Sequence, residues 1–251
     1  MLDRAAFLRP IAHRGLHDAM RGIIENTEPA FRAAIDAGYG IECDVRPIKG
    51  SVPVVFHDVT LNRLVEGRGP LASVTEQDLK SQRHRVGGAA IMTLADLLEL
   101  VAGRVPLLIE IKSEWNPPDR DFLAKIAALV SNYRGPIALM SFDPAVMIAM
   151  RSLAPDIPRG IVSGSFIGTG WWSRQISRKR AAALRNLLES GPIAPDFYAY
   201  QVDALPTPVT EYVRQVCRLP LFTWTVRTAK QQRSAGSYAD AMIFEGFRPD
   251  H

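Results

Sequence analysis

Cysteine is scarce in this chain, with only Cys43 and Cys217 among 251 residues. The two lie far apart and form no metal-type or redox-type pair, so they read as small buried hydrophobes in a reducing compartment rather than as a disulfide framework. Long apolar runs are missing too. No stretch approaches the roughly 20 residues that a membrane span requires, and the opening MLDRAAFLRP lacks the apolar region of a secretory signal. These absences predict a soluble, cytoplasmic protein. Charge of one sign is also absent: 30 basic against 26 acidic residues give a net +4, with both signs spread along the chain. That excludes a nucleic-acid-binding protein and leaves a mildly cationic surface for anionic small molecules or phospholipid head groups.

What the sequence does have is alternation. Hydrophobic residues make up 47% of the chain, enough for a substantial core. Short apolar runs at Phe7–Ala12, Gly40–Arg46, Val105–Lys112, Ile137–Ser141, Pro158–Val162, Asp196–Tyr200, Leu221–Trp224 and Ala241–Phe244 predict strands. Helical patterns lie between them at Glu28–Ala37, Leu94–Ala102, Asp119–Asn132, Pro144–Leu153, Ser173–Ser190, Pro208–Cys217 and Ala229–Ala235, the first capped by Asn26-Thr27. Eight strands interleaved with helices predict an α/β protein, a TIM (β/α)8 barrel forming one domain over residues 1–251. One stretch breaks the rhythm. Ser51–His57 is strand-like, and a Gly-, Arg- and polar-rich segment follows; residues 58–93 are expected to be a small insertion after the second strand, too short to bury a core of its own.

The chemistry-bearing residues sit at the ends of predicted strands. Glu42 and Asp44, in Gly-Ile-Glu-Cys-Asp-Val, are two apart and share one strand face, with Ile41, Cys43 and Val45 on the other. Glu110 and Lys112 repeat the arrangement on the next strand. Three carboxylates at one rim form an all-oxygen site suited to Mg²⁺ or Ca²⁺; the competing reading is a set of rim ion pairs with Lys112 and Arg46. His13 ends the first strand and His57 ends the strand-like segment, and two imidazoles near neutral pH suit a general acid and a general base. His17, His84 and His251 lack such a setting and read as structural. Arg14 offers a planar fork for phosphate oxygens, or else a salt bridge to Glu25 or Asp58.

In order along the chain stand His13-Arg14-Gly15, Glu25-Asn26-Thr27 with Ala30-Phe31, Glu42-x-Asp44-Val45, Val54-Val55-Phe56-His57-Asp58, Glu110-Ile111-Lys112, Ser141-Phe142 and Thr223-Trp224-Thr225-Val226. From about residue 9 to about residue 245 this set resembles the glycerophosphodiester phosphodiesterase family. The resemblance implies a TIM barrel with a small insertion after the second strand. It implies that Glu42, Asp44 and Glu110 hold one divalent cation, Mg²⁺ or Ca²⁺, and that His13 and His57 are the acid–base pair. It also implies that Arg14 and Lys112 contact the phosphate and that Trp224 lines the pocket against the glycerol or head group of a small-molecule phosphodiester. Members of the family are thought to use the neighbouring glycerol hydroxyl as nucleophile, through a cyclic phosphate.

Two positions depart from the family pattern: Arg227 where Asn is common, and Ile243-Phe244-Glu245-Gly246 where the last strand ends in a Thr-Asp-type sequence. Arg227 is expected either to reach a more acidic head group or to be solvated. A further distinctive piece is Phe166–Trp172 followed by a helix carrying Arg174, Arg178, Lys179, Arg180 and Arg185. It reads as an aromatic lid with a solvated basic face, or as a weak membrane-surface contact. The alternatives to glycerophosphodiester hydrolysis are a lysophospholipid- or sphingolipid-type phosphodiesterase on the same barrel and a catalytically silent phosphate-ligand binder.

Overall fold

The computed structural model describes residues 1–250, with the backbone alone at Trp171, so His251 lies outside the described residues. Eight parallel strands close into a ring: β1 (Ile11–Ala12), β2 (Gly40–Ile48), β4 (Leu107–Ile111), β5 (Ile137–Ser141), β6 (Arg159–Ser163), β7 (Phe197–Gln201), β8 (Leu221–Val226) and β9 (Ala241–Phe244). Closure comes from β1, which pairs with both β2 and β9. A ninth strand, β3 (Val52–Val55), turns back antiparallel on β2 and stays outside the ring. The family's barrel with one extra strand is therefore present.

Period-two alternation sorts the side chains of each strand. On β4, Leu107, Ile109 and Ile111 pack outward under the helices while Leu108 joins the inner cluster. On β2, Ile41, Cys43 and Val45 go outward, which leaves Glu42 and Asp44 to the inside. Met140, Phe197, Phe222 and Ile243 fill the ring's interior, and each fully buried aromatic there is worth about 1.5–3 kcal/mol in burial alone. Apolar layers occupy the lower barrel, so polar side chains are left for the C-terminal rim, where barrel chemistry gathers.

Several sequence expectations need correction. Phe7–Ala12 is not one strand. The Asp3 carboxylate caps a short helix α1 (Arg4–Phe7) by accepting from the Ala6 N–H, and only Ile11–Ala12, after Pro10, is extended. Phe7 instead plugs the inner cluster 6.5 Å from the Phe222 ring. Thr27 stands at the start of α2 (Glu28–Asp36) but makes no capping bond; its hydroxyl donates to the Ile24 carbonyl. The expected helix over 173–190 is interrupted, because Ser177 supplies a fresh N-cap to Arg180 and the regular helix runs only over Arg178–Arg185. Cys43 is buried as expected, but Cys217 is exposed.

The 58–93 segment does bury apolar residues. Leu61, Val65, Leu71, Val74, Leu79 and Ile91 cluster with Ile48, Val54 and Phe56, so its core is shared with the β2–β3 hairpin. His84 lies within this layer, buried, with Nδ1 2.9 Å from the Ala89 carbonyl. Among the described residues no helix is long and apolar enough to cross a membrane.

Candidate active site

The β2–β4 register sets Asp44 opposite Glu110 and Glu42 opposite Leu108, so all three acidic side chains face one point inside the rim. One carboxylate oxygen from each lies within 4.8 Å of the others, and all three residues are buried. Two full negative charges at that spacing repel by about 3 kcal/mol even at an effective dielectric near 20. The chain offsets part of this. Lys112 Nζ stands 2.8 Å from Asp44 Oδ1 and 2.6 Å from Glu110 Oε1, and Arg14 Nε stands 3.0 Å from Asp44 Oδ2. Asn26 completes the grip, its amide donating to Asp44 Oδ2 at 2.9 Å while its carbonyl accepts from the Asp44 N–H. Burial alone would push the Asp44 carboxyl up, but Lys112 and Arg14 outweigh it and hold Asp44 well below the usual range. Glu42 goes the other way, raised well above its ordinary value by burial and by Asp44 and Glu110 beside it. A group in that state needs either a proton or a cation.

Both arginine and histidine of the His13-Arg14-Gly15 turn reach this cluster. Arg14 has φ 56° and Gly15 φ 78°, both left-handed. A Cβ on Gly15 would stand 2.9 Å from the Ala30 backbone, so only glycine lets the turn sit on α2. The turn aims the Arg14 N–H at Glu42 Oε2 (2.9 Å) and the guanidinium at Glu25 Oε1 (2.6 Å). His13 Nε2 stops 3.9 Å from Glu42 Oε2, while its Nδ1 is 2.5 Å from Glu245 Oε2. Burial pulls the His13 imidazole below its ordinary value despite the bond to Glu245. Opposite it, His57 follows β3 and holds Nδ1 2.7 Å from Asp58 Oδ1. Arg63, from the insertion, bonds Asp58 at 2.6 Å and Glu25 at 2.7 Å. Desolvation raises Glu25, but Arg63 and Arg14 bring it down to about 2.

His13, Arg14, His57, Glu110, Lys112 and Trp224 line one cleft of about 620 Å³, well within the range of small-molecule sites. The Trp224 ring packs edge-on to Phe142 at 5.2 Å, and its indole N–H has no hydrogen-bond partner among the described residues. The sequence-predicted residues are thus brought together. The expected salt bridge of Arg14 to Glu25 is present, Asn26 grips Asp44 where a helix cap was expected, and Asp58 meets His57 and Arg63 where Arg14 was expected; Arg63 carries no local sequence signal.

The structure bears on two other expectations. Arg227 is about half exposed and lines the cleft, and its Nε bonds Glu245 Oε1 at 2.5 Å. Trp172 is buried against Ile176, Ala181 and Leu184, and Arg180 turns inward over the Trp115 ring at 5.0 Å. The aromatic piece therefore packs on the barrel, with little of Trp172 left for a membrane; the Trp171 side chain lies outside the described residues.

The donor set fits a hard divalent cation. Glu42 Oε1 is buried without a hydrogen-bond partner. Around it, among the described residues and with the histidines neutral, the linked carboxylates Glu25, Glu42, Asp44, Asp58, Glu110 and Glu245 face four permanent cations, Arg14, Arg63, Lys112 and Arg227. Two negative charges remain uncompensated, the charge of one Mg²⁺ or Ca²⁺.

Comparison with known proteins bears on the family and the fold. Residues 13–245 match the model of the glycerophosphoryl diester phosphodiesterase family. A glycerophosphodiester phosphodiesterase of Caldanaerobacter subterraneus subsp. tengcongensis is 31% identical over 162 residues, 61% of this chain and 65% of its own length. Glycerophosphodiester phosphodiesterase 1 of Homo sapiens is 39% identical over 158 residues, 59% of this chain and 46% of that protein. The matched regions thus span less than two thirds of these curated relatives. Among solved structures, an Oleispira antarctica phosphodiesterase in complex with the product sn-glycerol-3-phosphate superimposes with a TM-score of 0.73 at 20% identity, covering 94% of this chain and 92% of that one. A glycerophosphodiester phosphodiesterase of Agrobacterium tumefaciens gives 0.69 at 23% identity, covering 94% and 96%. From the His13 turn at its first strand to Glu245 at its last, this chain belongs to the glycerophosphoryl diester phosphodiesterase family.

Proposed function

We propose that this protein is a metal-dependent phosphoric diester hydrolase that cleaves glycerophosphodiesters to glycerol 3-phosphate and an alcohol. The observation that carries the reading is the buried trio Glu42, Asp44 and Glu110, whose Glu110 lines the same cleft as His13 and His57. Glu42, Asp44 and Glu110 hold the cation. When bound, the cation neutralises charge on the phosphoryl oxygens as it develops. Arg14 and Lys112, at the edge of the trio, meet the remaining phosphate oxygens, and Trp224 takes the glycerol or head group against its ring face.

The two histidines move the protons. One Nε2 takes the proton of the attacking hydroxyl, from water directly or from the neighbouring glycerol hydroxyl, in which case a cyclic phosphate forms and a water then adds at phosphorus and breaks one ring P–O bond to give glycerol 3-phosphate. The other gives its proton to the alcohol oxygen as the P–O bond breaks. Each transfer is worth about 10²–10⁴-fold. The test is a coupled glycerol 3-phosphate release assay on several glycerophosphodiesters after chelation, with Mg²⁺ or Ca²⁺ added back. Turnover that survives EDTA sinks the metal reading. The cation has a second readout: at 100-fold above its dissociation constant it stabilises the native state by about 2.7 kcal/mol, and Glu42→Gln abolishes that thermal shift.

One observation favours a second reading. A pocket of about 420 Å³ opens off the cleft beside Arg46 and Lys112, walled by Pro70, Leu71, Pro117 and Phe122. Apolar walls of this kind suit an acyl or alkyl substituent, as in a lysophospholipid. Comparing turnover of glycerophosphocholine with that of lysophosphatidylcholine separates the two.

A further inference from the structure

The last residues of three neighbouring strands meet at one point of the rim. Ala12 of β1 is in register with Phe244 of β9, and Phe244 with Val226 of β8. The next residues are His13, Glu245 and Arg227. The ladder continues through them: the His13 N–H donates to the Phe244 carbonyl at 2.9 Å, and the Glu245 N–H to the Val226 carbonyl at 3.1 Å. Ile11 and Ile243 belong to the inner cluster, so alternation turns His13 and Glu245 inward as well. Arg227 arrives by another route. Phe222 packs inward, and strict alternation would send residue 227 outward; but the register slips between Thr223 and Val226, Val226 packs outward, and Arg227 is brought to the inside.

The product is a chain of contacts, His13 Nδ1 to Glu245 Oε2 at 2.5 Å and Glu245 Oε1 to Arg227 Nε at 2.5 Å. His57 is built alike, with Nδ1 on Asp58 and Asp58 on Arg63. A carboxylate at Nδ1 keeps the proton on that nitrogen, so the neutral ring presents its Nε2 lone pair to the cleft. An isolated surface ion pair contributes little, but Glu245 is only 20% exposed and meets His17 Nε2 as well, at 3.6 Å. The same attachment on two histidines of unrelated origin is the observation that matters.

We infer that Glu245, braced by Arg227, is a positioning residue that sets the tautomer and ring orientation of His13, the counterpart of Asp58 braced by Arg63 at His57. The two departures from the family pattern are then a single device, each residue supplying what the other needs. The inference rests on the proposed acid–base role of His13.

The test uses the full chain as Glu245→Gln, Glu245→Asp and Arg227→Gln. It combines steady-state kinetics with side-chain NMR of ¹⁵N-labelled histidines in substrate-free protein. Glu245→Gln is expected to lower kcat about 10- to 100-fold with KM within about threefold, and to turn the single Nδ1–H tautomer of His13 into a mixture while His57 is unchanged. Glu245→Asp recovers part of the loss, and Arg227→Gln costs a few-fold. An unchanged His13 tautomer in Glu245→Gln, or a change in KM alone, overturns the inference. If Glu245→Gln does not fold, Glu245→Asp, which withdraws the carboxylate from His13 Nδ1 by one methylene, carries the test by the same two readouts, and an unchanged tautomer with unchanged kcat overturns the inference. Should no glycerophosphodiester be turned over, the functional proposal fails, yet the NMR result still decides whether Glu245 sets the tautomer.

Discussion

The two histidines of the cleft reach the same carboxylate contact at Nδ1 by different constructions. His57 and its carboxylate are adjacent in sequence, and the bracing Arg63 comes from the same insertion five residues beyond Asp58. His13 depends on Glu245, 232 residues away, and on a slip in β8 that turns Arg227 inward. One side is local and nearly self-contained; the other exists only because the ring closes. Arg63 also bonds Glu25, which bonds Arg14, so the His57 side is tied into the phosphate-facing arginine while the His13 side ends at Arg227. Local construction allows a network to spread, whereas construction across strand ends yields a short, isolated chain.

The strongest way to break the comparison is to remove each imidazole. His13→Ala and His57→Ala are each expected to lower kcat by about 10²–10⁴-fold, measured as glycerol 3-phosphate release; full turnover in either variant removes that histidine from the acid–base pair. Next, Asp58→Asn is expected to cost about 10- to 100-fold in kcat. If it matches Glu245→Gln, the two carboxylates are equivalent; a difference beyond about tenfold shows that one histidine bears the heavier demand on orientation. The arginine braces should then differ in kind. Arg63→Gln is expected to raise KM several-fold as well as lower kcat, because Arg14 loses its support through Glu25, whereas Arg227→Gln leaves KM near its starting value.

The smallest effect is in stability. Glu25, held at about 2 by Arg63 and Arg14 against an unfolded value near 4.5, stabilises the native state fully above pH 4.5 and loses that contribution as pH falls toward 2. Urea midpoints of Glu25→Gln should therefore fall less steeply over that window than those of the unaltered protein, and parallel slopes would disprove the network.

Much of the fold was legible because alternation is a local property. Apolar residues at period two marked the strands, and the same parity placed Glu42, Asp44, Glu110 and Lys112 on a common face before any tertiary contact was known. The first strand was misjudged because Asp3 and Pro10 impose a helix and a break on residues whose apolarity alone suits a strand. In the site, His13 and His57 stood out as strand-end residues, but their partners did not. Asp58 is adjacent and visible in hindsight; Glu245 and Arg63 depend on closure and on the fold of the insertion, neither of which leaves a periodic trace. Arg227's contact with Glu245 leaves no sequence cue either, since it depends on a one-residue slip in β8.

β1 contributes only Ile11 and Ala12 to the ring, yet it is the piece that joins the chain's beginning to its end. All three carboxylates of the trio lie on β2 and β4, and none lies on β9. A molecule whose last strand has come undocked would therefore still capture a divalent ion while its His13 imidazole hung unanchored. On the proposed function, ion uptake and turnover would be separable events, and catalytic competence would report on whether the circle has been sewn shut.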